Sequence, residues 1–328
     1  MSTMKAALVE TQNAEFQVVD IARPVAGPGQ ILVRIKAAAL NPLDLKIRAG
    51  EAAHARHPLP AILGIDMAGI VEAVGPGVTG FRPGDEVYGM TGGVGGLQGS
   101  LAEFAAVDAD LVALKPRNLS MRQAAALPLI AITAWEGLED RTQVRSGQKV
   151  LVIGGGGGVG HIAVQMAVAA GAEVYAVDGG SKADYIRSIG ATPIDYAVAT
   201  VEDYVARYTE GKGFDVVYDT IGGKGLDAAF QAVAKFGHVV SSLGWGTHAL
   251  APLSFKGASY SGVFTLAPLL IGEDRAHHGE ILKQVALRVE AGALMPNLDP
   301  RQFSLAEVGE AYRRLESRQG EGKVVVEI

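Results

Sequence analysis

The chain contains no cysteine among its 328 residues. That absence excludes disulfides, thiolate zinc sites, iron–sulfur clusters and a cysteine nucleophile, leaving His, Asp and Glu as the strong metal ligands. A concentrated basic face is also missing: 29 Lys and Arg against 35 Asp and Glu give a net charge of −6, and the basic residues are scattered. No nucleic-acid partner is therefore expected. Long apolar runs are absent too. The run from Ala124 to Trp135 is too short for a bilayer, and the one from Val150 towards Ala172 is broken by His161, Gln165 and glycines. No membrane partner is expected. The opening MSTMKAALVE has no apolar stretch behind a basic one, so the reading is a cytoplasmic protein without a secretory signal.

Glycine is what the chain has in excess, 43 residues, about twice the usual share. Neither a collagen period nor a solenoid-length repeat accompanies it. With 48% apolar and 20% charged residues, a chain of this length is expected to fold into two domains. From Met4 to about Val112 short β-prone runs (Lys5 to Val9, Gln30 to Ala37, Ala68 to Val74, Glu86 to Gly89) alternate with turn signals such as PGVTGFRPGD, predicting an antiparallel β domain. Ser120 reads as the N-cap of an Ala-rich helix. Beyond it strands and helices alternate, with strands at Lys149 to Ile153 and Glu173 to Val177 and helices at Val159 to Ala170 and Ala183 to Ile189, predicting a parallel sheet covered on both faces. The fold class is α/β, a doubly wound parallel sheet inserted into an antiparallel β domain. The expected domains are 1–123, 124–262 and a return segment, 263–328. The final strand, Lys323 to Ile328, is predicted to rejoin the first domain, where an edge would bury it.

The segment KVLVIGGGGGVGHIAVQMAVAAGAEVYAVD carries the most information. Gly155, Gly157 and Gly160 stand in G-x-G-x-x-G spacing between a buried strand and a helix, with Gly158 and Val159 in the same turn and Asp178 closing the next strand. Such a turn lets bare main chain approach a pyrophosphate at a helix N-terminus. The regular apolar flanks argue against a flexible linker. Asp178 is placed to accept from the ribose hydroxyls of NAD, whereas Ser181, Lys182 and Tyr196 would suit the extra phosphate of NADP. The choice stays open, leaning slightly to NADP.

Eight ordered segments resemble the medium-chain dehydrogenase/reductase superfamily, in its zinc-independent quinone oxidoreductase branch that includes zeta-crystallin. They are ALNPLDLKIRAG, LGIDMAGIVEAVGPGV, FRPGDEVYG, GSLAEFAAV, ALPLIAITAWEGL, GGGGGVGHIAVQMA, FDVVYDTIGG and GKVVVEI. The resemblance implies a GroES-like β domain made from both chain ends, a Rossmann domain between them, a nicotinamide cofactor in the cleft and a homodimer paired through Rossmann edge strands. Where zinc-dependent relatives place ligands, this chain has Asn41, Ile65 and Leu129, none of which holds zinc in the way thiolate or imidazole does. The expectation is no metal.

The chemistry then expected is hydride transfer from NAD(P)H to an acceptor that is already electrophilic, a quinone or an α,β-unsaturated carbonyl. By resemblance Asn41 lies beside the nicotinamide or substrate carbonyl and Thr133 near the carboxamide. Lys46 or Arg48 is a candidate anion stabiliser and Tyr88 a candidate donor. Asp66 and Asp44 are read as supporting carboxylates, Gly244, Trp245 and Phe264 as bordering the cofactor pocket, and His161 as helix-start packing. His277 and His278 read as surface residues. The glycine-rich Met90 to Ser100 segment is expected to be a mobile border of the substrate cleft. Two rival readings are a cofactor-binding protein with little turnover and a metal-dependent alcohol dehydrogenase.

Overall fold

The structure, a computed structural model, describes residues 2–317 and 320–328. The chain divides into two units. One comprises Met1–Leu129, Leu266–Gly292 and Pro296–Ile328; the other comprises Ile130–Thr265 with Ala293–Met295.

The first unit is built on an antiparallel scaffold. Its central strand, Gln30–Ala39, pairs with Asp66–Val74 on one side and with Val325–Glu327 and Phe104–Asp108 elsewhere along its length. Two register shifts against Asp66–Val74 bend this strand, which lets it serve three neighbours. Alternation along it sends Ile31, Val33 and Ile35 into a core shared with Met67, Val71, Val87, Ala105 and Val107. The C-terminal strand does return here: Val325, Val326 and Glu327 pair with Ala39, Ala38 and Ala37. It begins two residues after the expected start, because Lys323 and Val324 lead into it.

The second unit holds six parallel strands, numbered within it as β1 (Lys149–Ile153), β2 (Glu173–Asp178), β3 (Thr192–Asp195), β4 (Phe214–Asp219), β5 (Val233–Ser241) and β6 (Ser259–Gly262). Their order across the sheet is 3-2-1-4-5-6, the doubly wound Rossmann arrangement. Central β1, KVLVI, is buried after its first residue, as a strand covered on both faces requires. The helix after it, Gly158–Ala169, is buried nearly throughout from Gly160 to Ala167. Gly171 stops it in a left-handed conformation at φ +81°.

Two helices differ from expectation. Ser120 caps Met121–Ala125, accepting from the N–H of Gln123, but that helix is short and a second one starts at Pro128. The other is the helix Arg275–Glu290, which carries His277 and His278, both expected at the surface. Its first turn turns His278 inward, fully buried beside Gly279, Ile281 and Leu282, while His277 stays on the surface.

Candidate active site

The glycine loop follows β1 directly. A Cβ on Gly155 would come within 2.5 Å of the Ala176 Cβ on β2, and one on Gly160 within 2.0 Å of the Gly154 carbonyl. These two glycines are needed for the turn and for helix-to-strand packing. Gly157 and Gly158 are less confined: a Cβ would meet a single carbonyl oxygen at 3.1 Å, a tight contact, and an Ile130 methyl at 3.6 Å, an ordinary one. Gly158 is exposed, Val159 is half-buried, and no side chain caps the helix. The open main chain at 157–158 and the uncapped N-terminus fit a pyrophosphate. His161 packs at the helix start, with its Nδ1 2.9 Å from the Gly157 carbonyl.

Asp178 does more than mark the end of β2. Its carboxylate accepts from the Gly156 N–H at 2.9 Å and the Gly179 N–H at 2.8 Å, and the Lys182 ammonium lies 3.5 Å away. It thus clamps the glycine loop while remaining partly open. Ser181, Lys182 and Tyr196 are all exposed nearby, and the Tyr196 hydroxyl would lie 3.8 Å from a Cβ on Gly179.

Elsewhere in this unit Thr133 is buried on the Pro128–Trp135 helix. Its hydroxyl lies 3.1 Å from that of Thr265, which also donates to Glu136, and its carbonyl accepts from Tyr218. Trp245 and Phe264 meet edge to face, with ring centroids 5.9 Å apart, and both remain partly exposed. A Cβ on Gly244 would meet the hydroxyl of Tyr260, the tip of a partly exposed side chain.

In the β unit the structure assembles a buried polar cluster. Asn41 lies just beyond the central strand, at the N-cap of the Pro42–Arg48 helix, where its main-chain N–H donates to the Asp44 carboxylate at 2.8 Å. Its side-chain Nδ2 donates to Asp66 Oδ2 at 2.9 Å, and the other Asp66 oxygen accepts from the Leu129 N–H at 2.8 Å. Lys323 completes the group. Its ammonium donates to Asn41 Oδ1 at 2.5 Å and to the Leu40 carbonyl at 3.1 Å, and it stands 3.7 Å from Asp66. Burial raises the Asp66 carboxyl pKa and lowers that of the Lys323 ammonium, while their mutual attraction opposes both shifts. Burial likewise pushes the Asp44 carboxyl up to about 7, against the stabilising Asn41 N–H. Lys323 was invisible to sequence reasoning. It reads as the ordinary first residue of the predicted final strand, and its partner Asn41 lies 282 positions away.

Three expected site features take other roles. Tyr88 is a core residue whose hydroxyl donates to the Leu282 carbonyl at 2.6 Å; burial raises its pKa, so its proton is already committed. Arg48 is held by the Ala14 carbonyl at 2.8 Å, whereas Lys46 is exposed on the same helix. The Met90 to Ser100 segment is packed: Cβ atoms on Gly92 and Gly99 would fall 1.9 and 2.2 Å from main-chain oxygens of Gln98 and Leu63. Its glycines serve backbone-to-backbone contact, and only Gly95 and Gly96 at its tip are exposed.

Comparison with known proteins agrees with this architecture. Residues 27–117 match the alcohol dehydrogenase GroES-like domain family, and residues 189–326 the zinc-binding dehydrogenase family. A 2-methylene-furan-3-one reductase of Solanum lycopersicum is 39% identical over 94% of this chain and 74% of its own. A chloroplastic NADPH-dependent alkenal/one oxidoreductase of Arabidopsis thaliana is 37% identical over the same shares. The chain belongs to the medium-chain dehydrogenase/reductase superfamily. Among solved structures, an alcohol dehydrogenase superfamily protein from Novosphingobium aromaticivorans is 59% identical, with TM-score 0.98 over 99% of this chain and 100% of the other. The quinone oxidoreductase of Coxiella burnetii is 26% identical, with TM-score 0.83 over the full length of both. The protein is accordingly a reductase of this superfamily that uses a nicotinamide cofactor.

Zinc, which the second family description implies, does not fit the residues present. Asn41 Oδ1 already faces the Lys323 ammonium, and Ile65 and Leu129 offer only alkyl side chains at the other two positions. Among the described residues no group of three or more His, Asp and Glu is placed to hold a metal.

Proposed function

We propose that this medium-chain reductase transfers a hydride from NADPH to an α,β-unsaturated carbonyl or quinone without a metal ion. The observation that carries the reading is the internal ammonium of Lys323 bonded to Asn41, where zinc-dependent relatives would place a ligand. An acceptor polarised by its own conjugation needs no Lewis acid. When bound, the nicotinamide supplies the hydride; for an enone, the new C–H bond forms at the β-carbon, the C=C electrons move towards oxygen, and water supplies the proton to the α-carbon. The chain's part is to hold the coenzyme diphosphate on the bare main chain at Gly157 and Gly158 and to present the Asn41 amide to the acceptor oxygen. Lys46, exposed on the helix that Asn41 precedes, adds positive charge for the developing anion.

A preference for NADP over NAD is compatible with the state of Asp178. Both its oxygens receive main-chain N–H groups, and Lys182 offsets its charge, so it repels a 2′-phosphate less than a free carboxylate does. A homodimer through β6 is supported by its place at the sheet edge with Tyr260 partly exposed. The test is to follow nicotinamide absorbance with enone and quinone panels after metal removal. Turnover with either panel supports the reading; tight coenzyme binding with no turnover would favour a cofactor-binding role instead.

A further inference from the structure

We propose that Lys323 is a positioning residue that orients and polarises the Asn41 carboxamide, a role that rests on the reading of Asn41 given above. An amide side chain has two orientations related by a flip, and only one presents its donors where an oxyanion needs them. Two neighbours select it here. The Lys323 ammonium is a donor only, so the atom 2.5 Å from it must be the amide oxygen, and the Asp66 carboxylate, accepting from Asn41 at 2.9 Å, fixes the nitrogen on the other side. Either contact alone would leave the choice weaker; together they make the flipped amide face an ammonium with its own N–H groups and a carboxylate with its own oxygen.

The ammonium also acts electronically. An amide whose oxygen accepts from a cation is a stronger donor at nitrogen, because hydrogen bonds in series polarise one another at low dielectric. Asn41 Nδ2 has two hydrogens, and Asp66 takes one. The other is the donor for the acceptor's oxygen, with the Lys323 charge behind it and no metal in the series. Lys323 itself is buried behind Asn41 with its ammonium on Leu40, Asn41 and Asp66. It therefore acts through the amide and does not touch the substrate.

The test is a double-mutant cycle in the full chain with NADPH and an enone. Lys323→Met should lower kcat by about tenfold or more while leaving the coenzyme Kd within about twofold, and in an Asn41→Ala background the same change should have almost no further effect on kcat. Should Lys323→Met alone not fold, having left Asp66 unpaired in the interior, Asp66→Asn with Lys323→Met removes both charges and is compared in the same two backgrounds. A folded Lys323→Met protein with wild-type kcat overturns the proposal. So does a Lys323→Met penalty undiminished by Asn41→Ala, which would assign the lysine to general stability or to the substrate itself. Asn41→Ala with unchanged kcat would remove the role of the amide, and the proposal with it; a slow Asn41→Ala beside a fast Lys323→Met overturns the positioning role alone.

Discussion

Two glycine-rich segments, 154–160 and 90–100, look alike in composition and differ in what their missing side chains are for. In the second, the glycines let one backbone lie against another, with Gly92 and Gly99 facing main-chain oxygens at distances no Cβ tolerates. In the first, Gly155 and Gly160 do the same, but Gly157 meets a single main-chain oxygen, at 3.1 Å, and Gly158 only an Ile130 methyl at ordinary contact distance. A glycine that its own fold does not require points to something outside the fold. That distinction, more than the spacing, marks the nucleotide loop.

Gly157 is where the two segments should respond most differently to a side chain. Gly157→Val is expected to raise the coenzyme Kd by about 100-fold or more, a loss of about 3 kcal/mol, with the thermal unfolding profile little changed; titration calorimetry beside calorimetric melting would show both. Retained affinity would mean that the bare main chain there is not a ligand cradle. Gly92→Ala should do the opposite, costing about 1–3 kcal/mol of stability through overpacking and leaving coenzyme affinity unchanged, as denaturant melts and the same titration would report.

Carboxylates divide along the same line between covered and open. Asp44 is covered: its pKa rises from 3.8 to about 7 on folding, so its contribution to stability is fully present below about 4 and is lost as pH rises through about 7. Melting temperature measured across that interval should therefore fall more steeply with pH in the wild type than in Asp44→Asn. Equal slopes would show that burial does not hold Asp44 protonated. Asp178 is the open case. Because it also clamps Gly156, Asp178→Ala should weaken both coenzymes and shift the ratio of their Kd values towards NADP by about tenfold, the smallest of these effects; an unchanged ratio would remove it from coenzyme choice.

Local pattern made much of this legible. The bounds of β1 follow from its apolar run, Gly171 from the helix it ends, and the return of the C-terminal strand from its exposed apolar text. The Ser120 cap was readable from its own three neighbours. What escaped depends on distance along the chain. Lys323 meets Asn41 only because Val325 pairs with Ala39, and no local signal announces that register. That Tyr88 spends its hydroxyl proton inside the core is hidden for the same reason: its acceptor, Leu282, belongs to a helix 194 positions away. The packing of 90–100 was hidden because glycine serves mobility and close approach with the same letter.

We propose hydride transfer to an activated acceptor without a metal ion, the Lys323 ammonium acting only through Asn41. Its most direct test is steady-state oxidation of NADPH by an enone, measured on protein stripped with chelator and checked by elemental analysis. Undiminished turnover, with one saturated product formed per coenzyme consumed, is the expected result. Activity that vanishes on stripping and returns only with added zinc would contradict it.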